Sequence, residues 1–370
     1  MKQATIAAAL SVASVFAAVG GEQLMSLPPA PKGGRFKPPT DLVWPAKAGE
    51  ADVCLWHDDR FACCSITIDD NCKPDHEWWL KLSEELGIKV TWFVVTDGPE
   101  KKKNTGFNGT WKDYQRLADA GHSIQSHTTN HKSKPKNGPA LSDAEVEIMY
   151  RDSLKVINEN ITNNYACCIA YPCGEAHEEI AAKYAIACRG VYGVPSQAGS
   201  INYMNTNKGG ANKAYVEIVA FGATKENPKW IQGKKDLKRG LNTVLYHLVH
   251  HGRTKEQIAE SVKRSEEQVR YIASFKDDLL WVCRYDDVMK YAQERDTAKL
   301  SCKLDGNKIR ISVTDDMKDD VFNFPLTVKV RLPDGWKSVS GGTFIEHNGK
   351  PYALVDVVPD RGEVVLMSSK

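Results

Sequence analysis

The chain has 370 residues, with 49 Lys and Arg against 47 Asp and Glu, a formal charge of +2. That length allows two domains, or one large barrel with a small module. Hydrophobic residues at 42% and charged residues at 26% exclude a disordered, collagen-like or coiled-coil chain, and the even charge gives no electrostatic reason to expect nucleic acid.

The N-terminus reads as a signal peptide over residues 1–20. Lys2 precedes the uncharged apolar run Ile6–Val19, which is too short to span a bilayer, since a spanning helix needs about 20 residues. Ala18-Val19-Gly20 puts small residues where a signal peptidase cuts, so export to the periplasm or medium is expected; an N-terminal anchor or a buried helix is the other reading. Residues 21–55 read as a Pro-rich linker, because residues 28–45 hold six of the seventeen prolines.

Strands and helices then alternate. Ala62–Ile68 is a β-branched, Cys-rich strand, and Asp75 is expected to cap a helix that stops at Gly87. Val90–Val95 is a buried strand. Thr110 and Asp113 open a short helix to Gly121, and Ser123–Ser126 is the next strand. Ser142 and Glu145 form a capping box before a helix to about Asn160. Tyr165–Tyr171 is a predicted strand, His177–Ala187 a helix and Gly190–Tyr192 a weak strand. Val216–Ala220 and Thr243–His247 read as further strands, Thr254 caps a helix to Phe275, Leu280–Cys283 is a strand, and Asp286–Arg295 closes with a helix. Eight strands in this rhythm predict a distorted (β/α) barrel of parallel strands over residues 56–297.

Beyond residue 298 the period changes to two. Ile309, Ile311 and Val313, then Leu326, Val328, Val330 and Leu332, alternate with polar residues, and Asp305-Gly306, Asp334-Gly335 and Asn348-Gly349 mark turns. Residues 298–370 therefore form a small antiparallel, sandwich-like β domain. The boundary suggests that residues 1–297 fold and act alone. The module either buries the closing helix of the barrel or binds glycan.

The ten cysteines are too dilute for a disulfide scaffold and none is spaced as CxxC, so they read as small buried hydrophobes, with one or two disulfides left open. Four polar clusters fall at the carboxyl ends of predicted strands, where parallel barrels place their sites: Asp69-Asp70, His127 with His131, Tyr171-Pro172-Cys173-Gly174, and His247. Adjacent carboxylates leaving one strand diverge, which suits separate duties better than the paired duty of a glycosidase. Asp70, His127 and His131 together would give three protein ligands and leave room for a water, the layout of a catalytic metal site.

Ile66-Thr67-Ile68-Asp69-Asp70, Ser126-His127-Thr128-Thr129-Asn130-His131, Ala170-Tyr171-Pro172-Cys173-Gly174 and Leu245-Tyr246-His247 resemble the ordered motifs of the polysaccharide deacetylases, carbohydrate esterase family 4. The resemblance covers roughly residues 60–297. It implies a distorted barrel and a divalent metal, most often Zn2+, with Co2+, Ni2+ or Mn2+ as alternatives. It implies hydrolysis of N- or O-acetyl groups on a carbohydrate polymer or oligomer, with Asp69 as general base and Asp70, His127 and His131 as metal ligands. His247 would be the general acid, the Cys173 amide an oxyanion donor, and Tyr171, Pro172 and Arg189 would line the substrate. A glycan is then the expected partner; neither nucleic acid nor a stable membrane span is expected, and the oligomeric state is open.

Three features depart from the family pattern. Ala170 stands where an Arg commonly pairs with the catalytic Asp, Cys173 stands where an aromatic commonly follows the Pro, and no Asp- and Trp-containing fourth motif occurs between residues 188 and 240. Arg189 could supply the missing guanidinium from the next strand, or make an ordinary salt bridge. A secreted glycan-binding protein on a degenerate barrel is the alternative reading.

Overall fold

A computed structural model describes residues 23–100, 105–134, 139–223, 229 and 237–368. The signal peptide expected over residues 1–20 lies outside the described residues. Fifteen strands are present among those described: β1 Ala51–Val53, β2 Ala62–Ile68, β3 Thr91–Val94, β4 Ser123–Ser126, β5 Cys168–Ala170, β6 Ala187–Arg189, β7 Leu241–Tyr246, β8 Leu280–Cys283, β9 Lys299–Asp305, β10 Lys308–Thr314, β11 Leu326–Arg331, β12 Val339–Ser340, β13 Thr343–His347, β14 Lys350–Val357 and β15 Glu363–Ser368.

Seven strands make one parallel sheet in the order β6-β5-β4-β3-β2-β7, with β8 also paired to β2. Every residue of β2 is buried, as expected for a central strand covered on both faces. The sheet curls into a half-barrel rather than closing. Between β6 and β7 the irregular segment 190–212 spans the gap, touching β6 through Thr206 and Arg189 and β7 through Ser196 and Leu241.

The count is seven strands, not eight, because Val216–Ala220 belongs to a helix, Lys213–Phe221. A short β-branched stretch, here interrupted by Glu217, fits a buried helix as well as a strand, and periodicity cannot separate the two. Two further expectations shift in the same region. The helix from His177 shortens to Glu178–Ala181, and the weak strand moves from Gly190–Tyr192 to Ala187–Arg189. The predicted capping box of Ser142 with Glu145 is present, and Thr110 with Asp113, expected to open a helix, forms a second one; each pair exchanges two hydrogen bonds. Asp75 precedes its helix without capping it, because its carboxylate is spent elsewhere. All ten cysteines are free thiols; Cys63 and Cys283 Sγ face each other 3.6 Å apart without a bond. No helix among the described residues is long and apolar enough to cross a membrane.

The C-terminal region is a β sandwich of two antiparallel four-stranded sheets, β1-β11-β14-β13 and β12-β15-β10-β9. Ile309, Ile311 and Val313 from one sheet and Val328, Val330 and Val355 from the other fill its core. Asn348 and Gly349, both at positive φ, make the tight turn between β13 and β14 that the sequence announces.

The supposed linker is built into this structure. Leu27 is buried, Arg239 holds the carbonyl of Asp41, and β1 pairs with β11, so residues ahead of the barrel complete a sheet of the C-terminal sandwich. Strand β11 is buried on both faces. Lys329 lies 3.8 Å from the centre of the Trp44 ring, donates to Val43 O at 2.8 Å and pairs with Asp59. Tyr291 of the closing helix Tyr285–Thr297 belongs to the sandwich core, while Met317, Val321 and Phe322 of the sandwich region belong to the barrel core. Residues 1–297 by themselves thus lack both the partner strand of β1 and the cover of Tyr291, which argues against a self-sufficient unit.

Candidate active site

Parallel pairing brings the polar clusters to one rim. Ile68 pairs with Tyr246, so Asp69 and His247 leave neighbouring strands at the same level, and the Asp69 N–H donates to Tyr246 O at 2.9 Å. His127 leaves β4, and its N–H donates to Val94 O at 2.9 Å. Cys173 follows β5, and Arg189 ends β6.

Asp70 is the centre of the group. His127 Nε2 and His131 Nε2 each lie 3.5 Å from Asp70 Oδ1, and His247 Nε2 lies 3.6 Å from Asp70 Oδ2. One ligand atom each from Asp70, His127 and His131 falls within a 4.8 Å set. The His127 Nδ1 is 2.8 Å from Ala170 O, and a carbonyl only accepts, so Nδ1 carries the proton and Nε2 presents a lone pair to the site. Burial pushes this ring below the ordinary imidazole value, against the pull of Asp69, which keeps it neutral and able to ligate. Two imidazole nitrogens and a carboxylate oxygen suit zinc or a similar divalent ion, so the residues present fit the metal that the sequence motifs imply.

The loops that carry these groups are strained. Asp70, Thr128, His131 and Cys173 all have φ between 53° and 66°. For residues other than glycine this costs about 1–2 kcal/mol each, so fixed partners must hold them there. The His131 N–H donates to Thr128 Oγ1 at 3.1 Å, and the Thr128 N–H donates to Ser126 Oγ at 3.0 Å. Asn71 fastens the β2 loop to β3, accepting from the Val95 N–H at 2.8 Å and donating to Val95 O at 3.2 Å. After Cys173, a side chain at Gly174 would meet Val191 Cγ2 at 2.3 Å, so only glycine permits this turn.

Asp69 has a different environment. Its side chain is almost fully buried, beside His127 Nε2 at 3.6 Å and bonded through Oδ2 to Arg189 Nη2. Burial disfavours its charge, but Arg189, then His127 and His247, outweigh that and hold the carboxyl below the ordinary range. Its other oxygen, Oδ1, is buried with no hydrogen-bond partner, ready to accept a proton from a group in the site.

Residues 58–187 match the sequence profile of one family, described as polysaccharide deacetylase. This region is similar to the polysaccharide deacetylases. Over 376 aligned residues, 94% of this chain, the sequence is 36% identical to a gellan lyase from a Bacillus species, and the chain spans only 14% of that relative's length. Among solved structures, a Streptococcus pyogenes deacetylase in complex with acetate is similar at 22% identity and a TM-score of 0.35, covering 39% of this chain and 62% of that one. A family 4 carbohydrate esterase from Streptomyces lividans is similar at 14% identity and a TM-score of 0.35, covering 61% of this chain and 92% of that one. A family 4 pseudoenzyme from Bacillus anthracis is similar at 12% identity and a TM-score of 0.39, covering 62% of this chain and 66% of that one.

Three residues expected to contact substrate are buried in this region. Tyr171 and Arg189 have no exposed surface and Pro172 is buried. Tyr171 donates to Met204 O at 2.7 Å, and Arg189 is occupied by Asp69, Gly190 O at 3.0 Å and the Phe93 ring. They lie beneath the polar cluster rather than at its surface. Cys173 is exposed, and His247 is more than half exposed, its side chain at 56%.

One positioning residue escapes a reading of the sequence. Buried Asp75 accepts from the Val249 N–H, from the His250 N–H at 3.1 Å and from His250 Nδ1 at 2.6 Å. It thereby ties the loop carrying His247 to the loop carrying Asp69 and Asp70. The sequence offered only a carboxylate ahead of a helix, which reads as a cap. His251 is exposed and lies outside the group around Asp70.

Proposed function

We propose that the protein is an exported, metal-dependent hydrolase that removes acetyl groups from a carbohydrate polymer or oligomer. The observation that carries this reading is the convergence of Asp69, Asp70, His127, His131 and His247 from three separate strand ends on one small volume. Asp70, His127 and His131 would hold a divalent ion, Zn2+ in the first instance, which when bound supplies a water of lowered pKa and polarises the acetyl carbonyl. Asp69, kept ionised by Arg189, takes a proton from the attacking water at Oδ1. The amide N–H of Cys173 steadies the charge that develops on the acetyl oxygen. His247 delivers a proton to the departing sugar amine or alkoxide, and its exposure lets it reach a leaving group that stays attached to a bulky glycan.

The relative named for action on the polysaccharide gellan supports a polymeric carbohydrate as the substrate class. Acetate release from chitin oligomers, acetylxylan and peptidoglycan, measured with zinc-loaded and chelated protein, tests the proposal. Zinc-dependent release from at least one substrate is expected. Saturable glycan binding without acetate release from any of them would instead make this a binding protein on a deacetylase scaffold.

A further inference from the structure

Tyr192 is the most exposed large apolar side chain among the described residues. It is 76% exposed, whereas the others of this kind, Tyr165 and Phe221 included, are half covered at 41–50%. Scattered apolar residues on a surface are ordinary and need no explanation. The place of this one sets it apart. Tyr192 lies three residues past Arg189, which ends β6 and binds Asp69. Its ring leans on the turn that presents the Cys173 amide, since a side chain at Gly174 would meet Tyr192 Cε2 at 3.1 Å.

The loop that carries the ring is fastened along its length. The Tyr171 N–H donates to Arg189 O at 3.0 Å, the Gly190 N–H to Thr206 O at 3.0 Å, and the Lys208 N–H to Tyr192 O at 3.1 Å. Gly193 follows at a φ of 115°, where a side chain would also meet Asn207 Cγ at 3.0 Å. The backbone is thus fixed while the side chain is left without partners. Among the described residues the Tyr192 hydroxyl makes no hydrogen bond and its ring packs on no other ring. Asn207 beside it is exposed, and its side-chain amide makes no hydrogen bond either.

A pyranose ring presents C–H groups on its face and hydroxyls at its edge. The C–H groups suit the electron-rich face of an aromatic ring, and the hydroxyls suit an amide that both donates and accepts. A tyrosine on a fixed backbone gives up few rotamers when it is covered, so little ordering is needed to use it. We propose that Tyr192 and Asn207 form a sugar subsite, which holds the glycan unit next to the one over the Asp70 centre. The inference rests on the reading of that centre as a site for an acetylated glycan.

The test uses full-length, zinc-loaded protein with chitin tetraose and acetylated xylotetraose as probes, calorimetry reading affinity and acetate release reading turnover. The wild-type protein should bind at least one of the two. For that oligomer Tyr192→Ala should weaken affinity and raise KM about tenfold, with kcat changed by no more than about twofold. Asn207→Ala should weaken affinity about threefold. Tyr192→Phe keeps the ring and should bind within about twofold of wild type. With the matching acetylated monosaccharide the loss in Tyr192→Ala should shrink below about threefold, because one ring fills only the position over Asp70. Each variant changes an exposed side chain and should melt as the wild type does. Equal affinity in Tyr192→Ala, an equal loss on monosaccharide and tetraose, or no binding of either oligomer by the wild type would overturn the proposal. Deacetylation fails separately: affinity lost in Tyr192→Ala, with no acetate released by any of the proteins, would remove the enzyme reading and leave the subsite standing.

Discussion

Arg189, the last residue of β6, reaches across the rim to bind Asp69, the first residue beyond β2. The strand register explains how. Arg189 stands directly opposite Ala170, the position where related motifs carry an arginine, so the guanidinium arrives from one strand further along at the same height. It is fully buried and ordered by Gly190 O and the Phe93 ring. The ion pair holds Asp69 below the ordinary carboxylate range, and its stabilising contribution is present above that range and lost as pH falls through the depressed value.

Removing the guanidinium leaves burial to act alone on Asp69. Arg189→Met should move the acid limb of the pH–rate profile upward by at least about one pH unit and cost about 3–5 kcal/mol of stability. Arg189→Lys should fall between, because the charge stays while the planar fork is lost. A pH–rate profile beside urea unfolding checks both; an unmoved acid limb would show that Asp69 does not set it.

The two adjacent aspartates should fail differently. Asp70→Ala should lose metal and activity together, since two histidines hold a catalytic ion poorly. Asp69→Asn should keep the ion and lose about 10²–10⁴-fold in rate. Metal content after dialysis, measured beside turnover, separates the two roles, and equal metal loss would mean that both carboxylates share the ion.

The Asp75 tether predicts an effect at a distance. Asp75→Asn presents an amide to three donors, so the loop carrying His247 should shift, lowering kcat by about ten- to a hundredfold with metal content unchanged. His247→Ala should remove most turnover and the alkaline limb of the profile, whereas His251→Ala should leave both intact. Steady-state kinetics over pH on the three variants decides it.

His57 links barrel and sandwich, lying 3.6 Å from Asp356 and 3.4 Å from Asp58. Burial opposes its charge, but the bonds to Asp356 and Asp58 win and raise the ring to about 9. Its contribution is complete below the unfolded value near 6.5 and is lost as pH rises through about 9. Both carboxylates are half exposed, so about 1–2 kcal/mol is expected. Urea unfolding at pH 6 and pH 9.5 should show that extra loss in the native protein and not in His57→Gln.

Deleting residues 298–370 should not yield a working barrel. The truncation removes β11 from β1, uncovers Tyr291 and strips Met317, Val321 and Phe322 from the barrel core. Aggregation, or a melting temperature lowered by about 10 °C or more, is expected in thermal scans of the purified fragment. A soluble fragment with unchanged melting would refute this reading of the shared core.

Much of the architecture was legible because it is written in local chemistry. Capping boxes at Thr110 and Ser142, the buried run of β2 and the period-two strands after residue 298 each depend on neighbours in the chain, and each appears where the residues call for it. The candidate site was legible for the same reason: Asp69, His127 and His247 follow directly on strands that a sequence can announce, and Asp70 and Cys173 lie within three residues of one.

What the chain alone could not decide were relations between segments far apart in it. The β-branched stretch Val216–Ala220 is equally suited to a strand or a helix, and only its packing made it a helix. The register of β5 against β6 chose Arg189 for Asp69, and Asp75 left the cap of its own helix for a loop 174 residues away. Residues 24–53 looked like a tether because prolines forbid regular structure, yet their few apolar and backbone groups found partners on two folded bodies. Local preferences are fixed by the bonds along the chain; pairings of buried charge and of strand edges are fixed by which desolvated groups meet, and that is settled only when the chain is folded.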